Sequence, residues 1–376
     1  MKVIFFYANF RTYDFTLGIT RKVYSEIDAF RKKGYRVFYS GYLVDGVAIF
    51  DNENNIMVKK FYPTNISLVN HAIRRTMLIN LCIKFLKRGE EKYAFSYVRY
   101  HFFDRKYIQL LARLKEKSAR LIIEAHSTPK FAKGISAMTY IAWKDKKWSR
   151  KAKKYVDLVA SMSDEEKLWG IHTVKISNGI NVKDIRPHHY IGKEKEINLI
   201  AVSFESPVHG YDRVLRGIYN YYQKGGKRKI IFHIVGTTLP STDRLIKKLN
   251  LENYCIKYGP QKGEELDHIY DKANLAVGCL ANHRIGSFYG SALKTKEYIA
   301  KGIPFIYGWK ENILENFKYA KCYELCEEAI NIEDVIKFYD SLPKNNLVTS
   351  IRNCLKYEDT WDYQIERVLS ACGEIE

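Results

Sequence analysis

The sequence lacks the features that mark several large classes of protein. No apolar stretch approaches the roughly 18 residues of a membrane-spanning helix, and the run from Val3 to Ala8 is too short for a signal peptide. Proline is scarce, at 8 of 376 residues, while hydrophobic residues make up 46% of the chain, which excludes a collagenous or disordered protein. We therefore expect a folded, cytoplasmic protein, and the length favours two domains.

Familiar ligand-binding motifs are also missing. The seven cysteines are scattered and have no companion Cys/His cluster, so they do not form a zinc-ribbon pattern. Neither G-x-G-x-x-G nor G-x-x-x-x-G-K-[ST] occurs, and no Asp-x-Asp pair is available to hold a divalent metal. These absences argue against hydride transfer and P-loop chemistry, and we expect neither a cofactor nor a metal.

Positive charge is concentrated in the first half of the chain. Up to Ile180 there are 34 Lys and Arg against 16 Asp and Glu, whereas the remainder has 28 against 26. Because net charge governs which partners a protein meets, the first half is expected to approach lipid headgroups, phosphates or nucleic acid.

Strand and helix patterns alternate along both halves. Lys2–Ala8, the helical stretch from Ile19 and Tyr35–Tyr39 form a βαβ pattern, and a second such array runs from Ile197 to Ile306. A short helix is predicted over Asp164–Trp169. The predicted fold class is α/β, with two Rossmann-like, doubly wound parallel-sheet domains facing across a cleft. The predicted domains are 1–185 and 186–357, joined by the polar linker 185–196, and 358–376 contains a C-terminal helix expected to pack back toward the first domain.

Three segments resemble motifs of one enzyme family. Val174-Lys-Ile-Ser-Asn-Gly-Ile-Asn181 resembles the turn that ends its first domain, and His209-Gly-Tyr-Asp-Arg213 resembles the start of a helix in its second. Ser291-Ala-Leu-Lys-Thr-Lys-Glu-Tyr-Ile-Ala-Lys-Gly-Ile-Pro-Phe305 gives the most extended match. Together they resemble GT-B glycosyltransferases of the retaining family 4 type, in a branch found among capsule and exopolysaccharide transferases.

The resemblance implies a donor site in the second domain. In the family, the counterpart of Glu297 holds the nucleotide ribose, and the backbone of Gly290, Ser291, Ala292 and Leu293 faces the donor. Gly18 resembles the phosphate-side loop of the first domain, and His126 resembles a histidine near the transferred sugar. His126 and Glu297 are thus the implied catalytic residues.

The sequence departs from the family at three positions. Tyr289 replaces the first of two paired glutamates, and Phe204 and His209 replace the usual phosphate-binding Arg and Lys. Phosphate binding must then rest on other groups, because negative charge grows on the leaving diphosphate and cations stabilise it. The candidates are Arg213, Arg284 and Lys294, and His209 is kept as a candidate donor-binding residue.

Basic stretches with interleaved aromatic residues lie in the first domain. Tyr140–Lys154 contains seven basic residues and one acidic residue, and Leu68–Arg88 contains five basic residues and no acid. Such helices are typical of anionic membrane surfaces, where a polyprenyl-linked acceptor would be found. The predicted membrane or acceptor contacts are Arg74, Arg75, Trp143, Lys147, Trp148 and Arg150.

The sequence predicts a retaining, metal-independent glycosyltransferase on the cytoplasmic face of the membrane. It would move a sugar from a nucleotide-diphosphate sugar to a polyprenyl-linked oligosaccharide in surface polysaccharide synthesis. Three alternatives stay open: a nucleotide-sugar epimerase of the same architecture, a basic nucleic-acid-binding protein, and a non-catalytic homologue that lost its first glutamate. Basic residues continuing across one face would favour nucleic acid, but no recognised module is present.

Overall fold

The chain forms two compact units in a computed structural model that describes residues 1–126, 137–190, 195–286, 288 and 290–374. The first unit comprises Met1–Gly179 together with Trp361–Glu376, and the second comprises Ile180–Thr360. The sequence placed these boundaries at 185/186 and 357/358. The departure Tyr289 lies outside the described residues.

The first unit is a sheet covered by helices on both faces. The strands are β1 (Val3–Tyr7), β2 (Arg36–Leu43), β3 (Gly46–Asp51), β4 (Asn54–Lys60), β5 (Tyr93–Arg99), β6 (Ser118–Ala125), β7 (Leu158–Ser161), β8 (Lys167–Leu168) and β9 (Ile171–Lys175). They lie in the order β4-β3-β2-β1-β5-β6-β7-β9-β8, and the central strands β2, β1, β5, β6, β7 and β9 are parallel. The helices are α1 (Gly18–Lys32), α2 (Ser67–Arg88), α3 (Arg105–Lys117), α4 (Ala137–Ala152) and α11 (Trp361–Ala371).

Helix α11 is the last element of the chain and belongs to the first unit. It packs on α1, and the Lys33 ammonium pairs with the Glu366 carboxylate. The Gln364 side chain also accepts a hydrogen bond from the Ser177 backbone N–H at 2.7 Å. The chain therefore returns to its first sheet after completing the second unit.

One predicted element is wrong. The short helix expected over Asp164–Trp169 is instead the hairpin β8–β9, in which Leu168 pairs with Ile171. Trp169 and Gly170 form its two-residue turn with φ of 55° and 76°, and positive φ at both positions is typical of a tight hairpin turn. A non-glycine residue rarely adopts this conformation, so the residue pattern did not reveal the turn.

The strands in the described part of the second unit are β10 (Glu196–Val202), β11 (Lys229–Val235), β12 (Cys255–Gly259), β13 (Leu275–Val277), β14 (Phe305–Tyr307) and β15 (Ala320–Cys322). These six strands form a fully parallel sheet in the order β12-β11-β10-β13-β14-β15. The helices are α5 (Tyr211–Gln223), α6 (Pro240–Lys248), α7 (Gly263–Asp271), α8 (Leu293–Lys301), α9 (Ile332–Ser341) and α10 (Leu347–Arg352).

The strands of the second unit are apolar because both faces of a parallel sheet are covered. Ile197, Leu199 and Phe232 lie in the core on one face, while Ile200 and Phe305 lie in the core on the other. The described part of the predicted linker is attached to this unit, because His188 N–H donates to Lys301 O at 2.7 Å. Among the described residues, no helix is long and apolar enough to cross a membrane.

Candidate functional site

The first candidate site lies at the start of α8 in the second unit. Gly290, Ser291 and Ala292 lead into the helix after the carboxyl end of β13, the sheet edge where doubly wound folds bind ligands. The segment is held by Gly290 N–H, which donates to Lys310 O at 3.1 Å. A helix N-terminus carries partial positive charge, so this edge of the unit favours an anion.

A buried cation lies beside this helix start. The Lys294 ammonium has no hydrogen-bond partner among the described residues, and its Nζ is shielded from solvent. Burial lowers the Lys294 pKa, although the nearby Cys279 and Glu297 side chains act in the opposite direction. A buried, unpaired charge costs stability, so this arrangement is typical of a site that binds an anion.

His209 supplies a neutral donor near the same cation. Its Nδ1 accepts a hydrogen bond from the Ser206 backbone N–H at 2.8 Å, so the ring proton is assigned to Nε2. Burial and the Lys294 charge lower the His209 pKa to about 3, and the ring is therefore uncharged at neutral pH. The residue that replaces the family's lysine thus keeps a donor but not a charge.

In the described part of the site, one carboxyl group lies on α8 itself and another lies beside the start of this helix. Glu297 lies one turn after Lys294 and is 9% exposed. Glu311, in the loop after β14, reaches the helix start, where its Oε2 accepts from Trp309 Nε1 at 3.0 Å and from Ala292 N–H at 3.5 Å. Burial raises the Glu311 pKa to about 7. Glu311 is not among the predicted site residues, because it lies outside the segments that resemble the glycosyltransferase motifs.

Two predicted phosphate ligands have structural partners instead. Arg213 is buried, and its Nε donates to Glu328 O at 2.7 Å while its other nitrogens contact Leu280 O and the Cys326 thiol. The guanidinium therefore joins the start of α5 to two loops and is not free for a ligand.

Arg284 is already neutralised by two carboxylates. It forms a bidentate pair with Asp212 at 2.8 and 2.9 Å, and its Nε donates to Glu327 at 2.9 Å. Such charge-assisted bonds occupy the fork that would otherwise bind phosphate. Arg213 and Arg284 therefore do not fit the predicted role of phosphate ligands. Lys294, Glu297 and residues 290–293 lie at or just before α8, and His209 lies near Lys294.

His126 lies in the first unit, immediately after β6. Part of the residue is accessible to solvent, but burial of the imidazole ring and the nearby Arg99 charge lower the His126 pKa to about 4. The ring is thus neutral at physiological pH and can act as a hydrogen-bond donor or acceptor. The structure places it in a different unit from Glu297.

A buried charge cluster lies below His126. The Glu124 carboxylate contacts Arg99 at 2.9 Å and Lys22 at 2.7 Å, and Lys22 also contacts Glu26 at 3.2 Å. Although burial alone would raise it, Arg99 and Lys22 hold the Glu124 pKa at about 2. Burial and the Glu124 charge raise the Glu26 pKa to about 7. This cluster was not predicted, although a glutamate inside the apolar stretch Leu121–Ala125 indicates that a buried partner must be present.

Gly18 is the first residue of α1. The preceding residue, Leu17, forms no side-chain cap, and the first turn of α1 contains no acidic residue. The first turn of this helix therefore contributes no carboxylate of its own to offset the partial positive charge of the helix end. The phosphate-side role that the resemblance implies for Gly18 stays a prediction.

The basic residues of α2 have structural partners. Arg74 donates to Val44 O at 3.3 Å and Gly46 O at 3.2 Å, which fixes the β2–β3 turn. Arg75 is buried, pairs with Asp104 at 2.6 Å and stacks on the Phe102 ring. Neither guanidinium is placed as a free surface charge, so the structure does not favour the predicted membrane role of Arg74 and Arg75.

Helix α4 retains an exposed aromatic and basic surface. Tyr140 and Trp143 are 56% and 53% exposed, and the Lys147 ammonium lies 5.2 Å from the Trp143 ring centroid. Arg150 is also exposed, whereas Trp148 is half-buried against the core of the first unit. Of the predicted membrane contacts on α4, Trp143, Lys147 and Arg150 lie on the surface, and Trp148 contributes to packing.

The chain resembles several solved structures over its whole length. Sucrose-phosphate synthase from Thermosynechococcus elongatus aligns with a TM-score of 0.69 and 13% identity, covering 100% of this chain and 99% of its own. A glycosyltransferase from Rickettsia africae aligns with a TM-score of 0.66 and 13% identity, covering 99% and 98%. Anabaena HepE in complex with UDP gives a TM-score of 0.62 and 11% identity, covering 100% of both chains.

The predicted fold class is confirmed. The chain has the GT-B fold, with two mainly parallel α/β sheets like those of these structures. At 10–13% identity the likeness shows the fold alone. No protein-family model matches the sequence, and no curated protein matches it significantly.

Proposed function

We propose that the chain is a glycosyltransferase whose second unit binds a nucleotide-diphosphate sugar at the start of α8. The observation that carries this proposal is the buried Lys294 ammonium, which has no partner among the described residues and lies near the neutral ring of His209. One cation, one neutral N–H donor and a helix N-terminus together match the charge and hydrogen-bonding needs of a diphosphate.

The chemistry of sugar transfer fits these groups. When the anomeric C–O bond breaks, negative charge accumulates on the leaving diphosphate, and preset donors stabilise it. Lys294 and the backbone at the start of α8 supply that stabilisation, while Glu297 binds the ribose hydroxyls. Gly18 serves as the phosphate-side loop of the first unit, and His126 orients the sugar. We propose a retaining reaction that needs no metal or protein nucleophile.

Structural neighbours support a nucleotide-sugar donor. HepE structures contain UDP, UDP with glucose, and UDP-glucose, and a starch synthase structure contains ADP. These ligands belong to those proteins, and their common chemistry is a nucleoside diphosphate. We propose that this chain likewise binds a nucleoside diphosphate at α8. We further propose that it is a glycosyltransferase of the family 4 type, in the capsule or exopolysaccharide branch.

For the acceptor we propose a polyprenyl-linked oligosaccharide at the inner membrane surface. The support is the exposed pair Tyr140 and Trp143 on α4, flanked by Lys144 and Lys147 at 4.7 and 5.2 Å from their ring centroids. Aromatic rings with adjacent lysines are typical of helices that lie at an anionic lipid interface.

A thermal-shift panel tests the donor site. The ligands are UDP, GDP, ADP, dTDP and CMP with their sugars, and the proteins are wild type, Glu297→Ala and the exposed control Glu333→Ala. Ligands that bind only the native state raise its melting temperature, so one nucleotide should stabilise wild type and Glu333→Ala but not Glu297→Ala. Stabilisation by no nucleotide would contradict the proposal. Conversion of a bound nucleotide sugar to its epimer would instead establish the epimerase alternative.

A further inference from the structure

We propose that Glu311 is a ligand-binding residue of this donor site, and that its free carboxyl oxygen, in the protonated form, donates a hydrogen bond to a phosphate oxygen of the nucleotide sugar. The inference rests on the proposed function, because it concerns the same site. It assigns to the donor site a residue that lies outside the sequence motifs, and it predicts that a proton is taken up when the donor binds.

One oxygen of the Glu311 carboxyl group accepts hydrogen bonds, whereas the other has no partner among the described residues. Glu311 Oε2 accepts from Trp309 Nε1 at 3.0 Å and from the Ala292 N–H at 3.5 Å, and the Thr295 side chain also interacts with this carboxyl group, which is therefore fixed at the start of α8. Its Oε1 is shielded from solvent and has no hydrogen-bond partner within the described parts of the chain. A buried polar atom without a partner is costly, and a ligand hydrogen bond would satisfy it.

Charge decides the protonation state of the bound form. A carboxylate and a diphosphate at one helix N-terminus would repel each other, whereas a neutral carboxyl group donates to the phosphate. The charged or titratable side chains that interact with Glu311 are Lys296 on α8, Tyr307 on β14 and Cys279 after β13. Burial already raises the Glu311 pKa to about 7, so protonation at neutral pH needs little further free energy.

Donor affinity should therefore fall as pH rises. The bound state holds a proton that the free state loses above pH 7, so Kd should increase by about tenfold between about pH 6 and about pH 8. The probe is UDP-glucose, or whichever diphosphate sugar of the panel stabilises the protein, because its phosphodiester groups do not titrate in this range. Isothermal titration calorimetry gives Kd, and buffers of different ionisation enthalpy give the number of protons taken up.

Two variants identify the responsible group. Glu311→Gln keeps a hydrogen-bond donor of the same shape without a titratable proton, so its Kd should vary by less than about twofold and match wild type at low pH. The exposed control Glu315→Gln should keep the full pH dependence. Melting temperatures of both variants show that each is folded.

Other outcomes overturn the inference. A pH dependence that persists in Glu311→Gln would assign it to another group, with Lys294 foremost, because burial lowers its pKa. A wild-type Kd that is constant or falls with rising pH would show that the oxygen donates no proton, or that it accepts a hydrogen bond from a sugar hydroxyl. If no nucleotide sugar binds at either pH, the proposed function itself fails, and this inference fails with it.

Discussion

Replacing Lys294 with methionine is expected to stabilise the second unit and to abolish nucleotide binding. The Lys294 ammonium is buried, and the described residues give it no hydrogen-bond partner. Methionine has a similar length and volume but needs no partner, so it removes the cost of an unsatisfied charge without leaving a cavity. A structural lysine would behave in the opposite way, which makes the sign of the effect informative.

A neighbouring lysine on the same helix provides the matched control. Lys296 is also buried, but its Nζ contacts the Asp359 carboxylate at 3.1 Å and the Asp359 carbonyl oxygen at 3.5 Å. Removing one partner of such a pair leaves the other uncompensated. Lys296→Met should therefore destabilise the protein, although both substitutions remove one positive charge from α8.

The size of each effect follows from burial. Leaving a buried polar group unsatisfied costs about 1–3 kcal/mol, and Lys294→Met should recover a gain of that order. Lys296→Met should lose about 1–3 kcal/mol, since the partly exposed Asp359 regains hydration. For a unit of this size, each kcal/mol shifts the melting temperature by about 2–4 °C.

Differential scanning calorimetry of the two variants and wild type measures both signs in one experiment. The transition of the second unit is identified in wild type as the one raised by the nucleotide found in the ligand panel. Lys294→Met should melt higher and show no shift with that nucleotide, whereas Lys296→Met should melt lower. The reasoning is refuted if Lys294→Met melts lower than wild type, or if it still binds the nucleotide with unchanged affinity.

Three further predictions concern the framework and the surface. Lys22→Met should lower the free energy of unfolding, measured by urea denaturation, by about 3–5 kcal/mol, because it breaks a buried charge cluster. The control Lys32→Met, at an exposed ion pair, should cost less than about 1 kcal/mol, and similar costs for the two variants would contradict the prediction. Tyr140→Ala with Trp143→Ala should weaken sedimentation with anionic-lipid vesicles by about tenfold, which unchanged binding would contradict. Gly236→Ala should prevent soluble expression, because φ is 111° and a Cβ would lie 1.9 Å from Ser203 O; a normally stable variant would contradict this.

The fold could largely be predicted, because the periodicity of hydrophobic residues indicates where the buried strands and amphipathic helices lie. Near-continuous apolar runs such as Val3–Tyr7 and Ile230–Val235 are buried parallel strands, and helical spacing from Ile19 onward corresponds to α1. The β3–β4 and β8–β9 hairpins were not predicted, and the reason is physical. The β3–β4 loop is only two residues long and has Asn52 at a φ of 53°, and short antiparallel strands with such turns leave too few residues for periodicity to show.

The candidate site was only partly predictable, because the sequence does not show which groups a charged side chain contacts in the folded protein. Asp212 and Arg213 are adjacent in the chain, yet Asp212 pairs with Arg284 while Arg213 binds carbonyl groups of distant loops. At the level of the sequence, Lys294 and both arginines were equally good candidates for phosphate binding. Whether a cation is available to a ligand depends on contacts across tens of residues, and those contacts distinguish Lys294 from the other two.

Buried carboxyl groups show where sequence reasoning could be extended. Glu124 interrupts an apolar strand, and a charge at such a position must find buried partners, so the strand pattern alone predicts an ion cluster there. Glu311 gives no equivalent signal, since it follows Trp309 and Lys310 in a loop where a solvated glutamate would be ordinary. Its open oxygen exists only because the loop after β14 places it against the start of α8. Some polar residues, like Glu311, lie in a loop of ordinary composition and are buried only by a distant element. Such residues become candidates for a site only when their burial and their hydrogen bonds are both known.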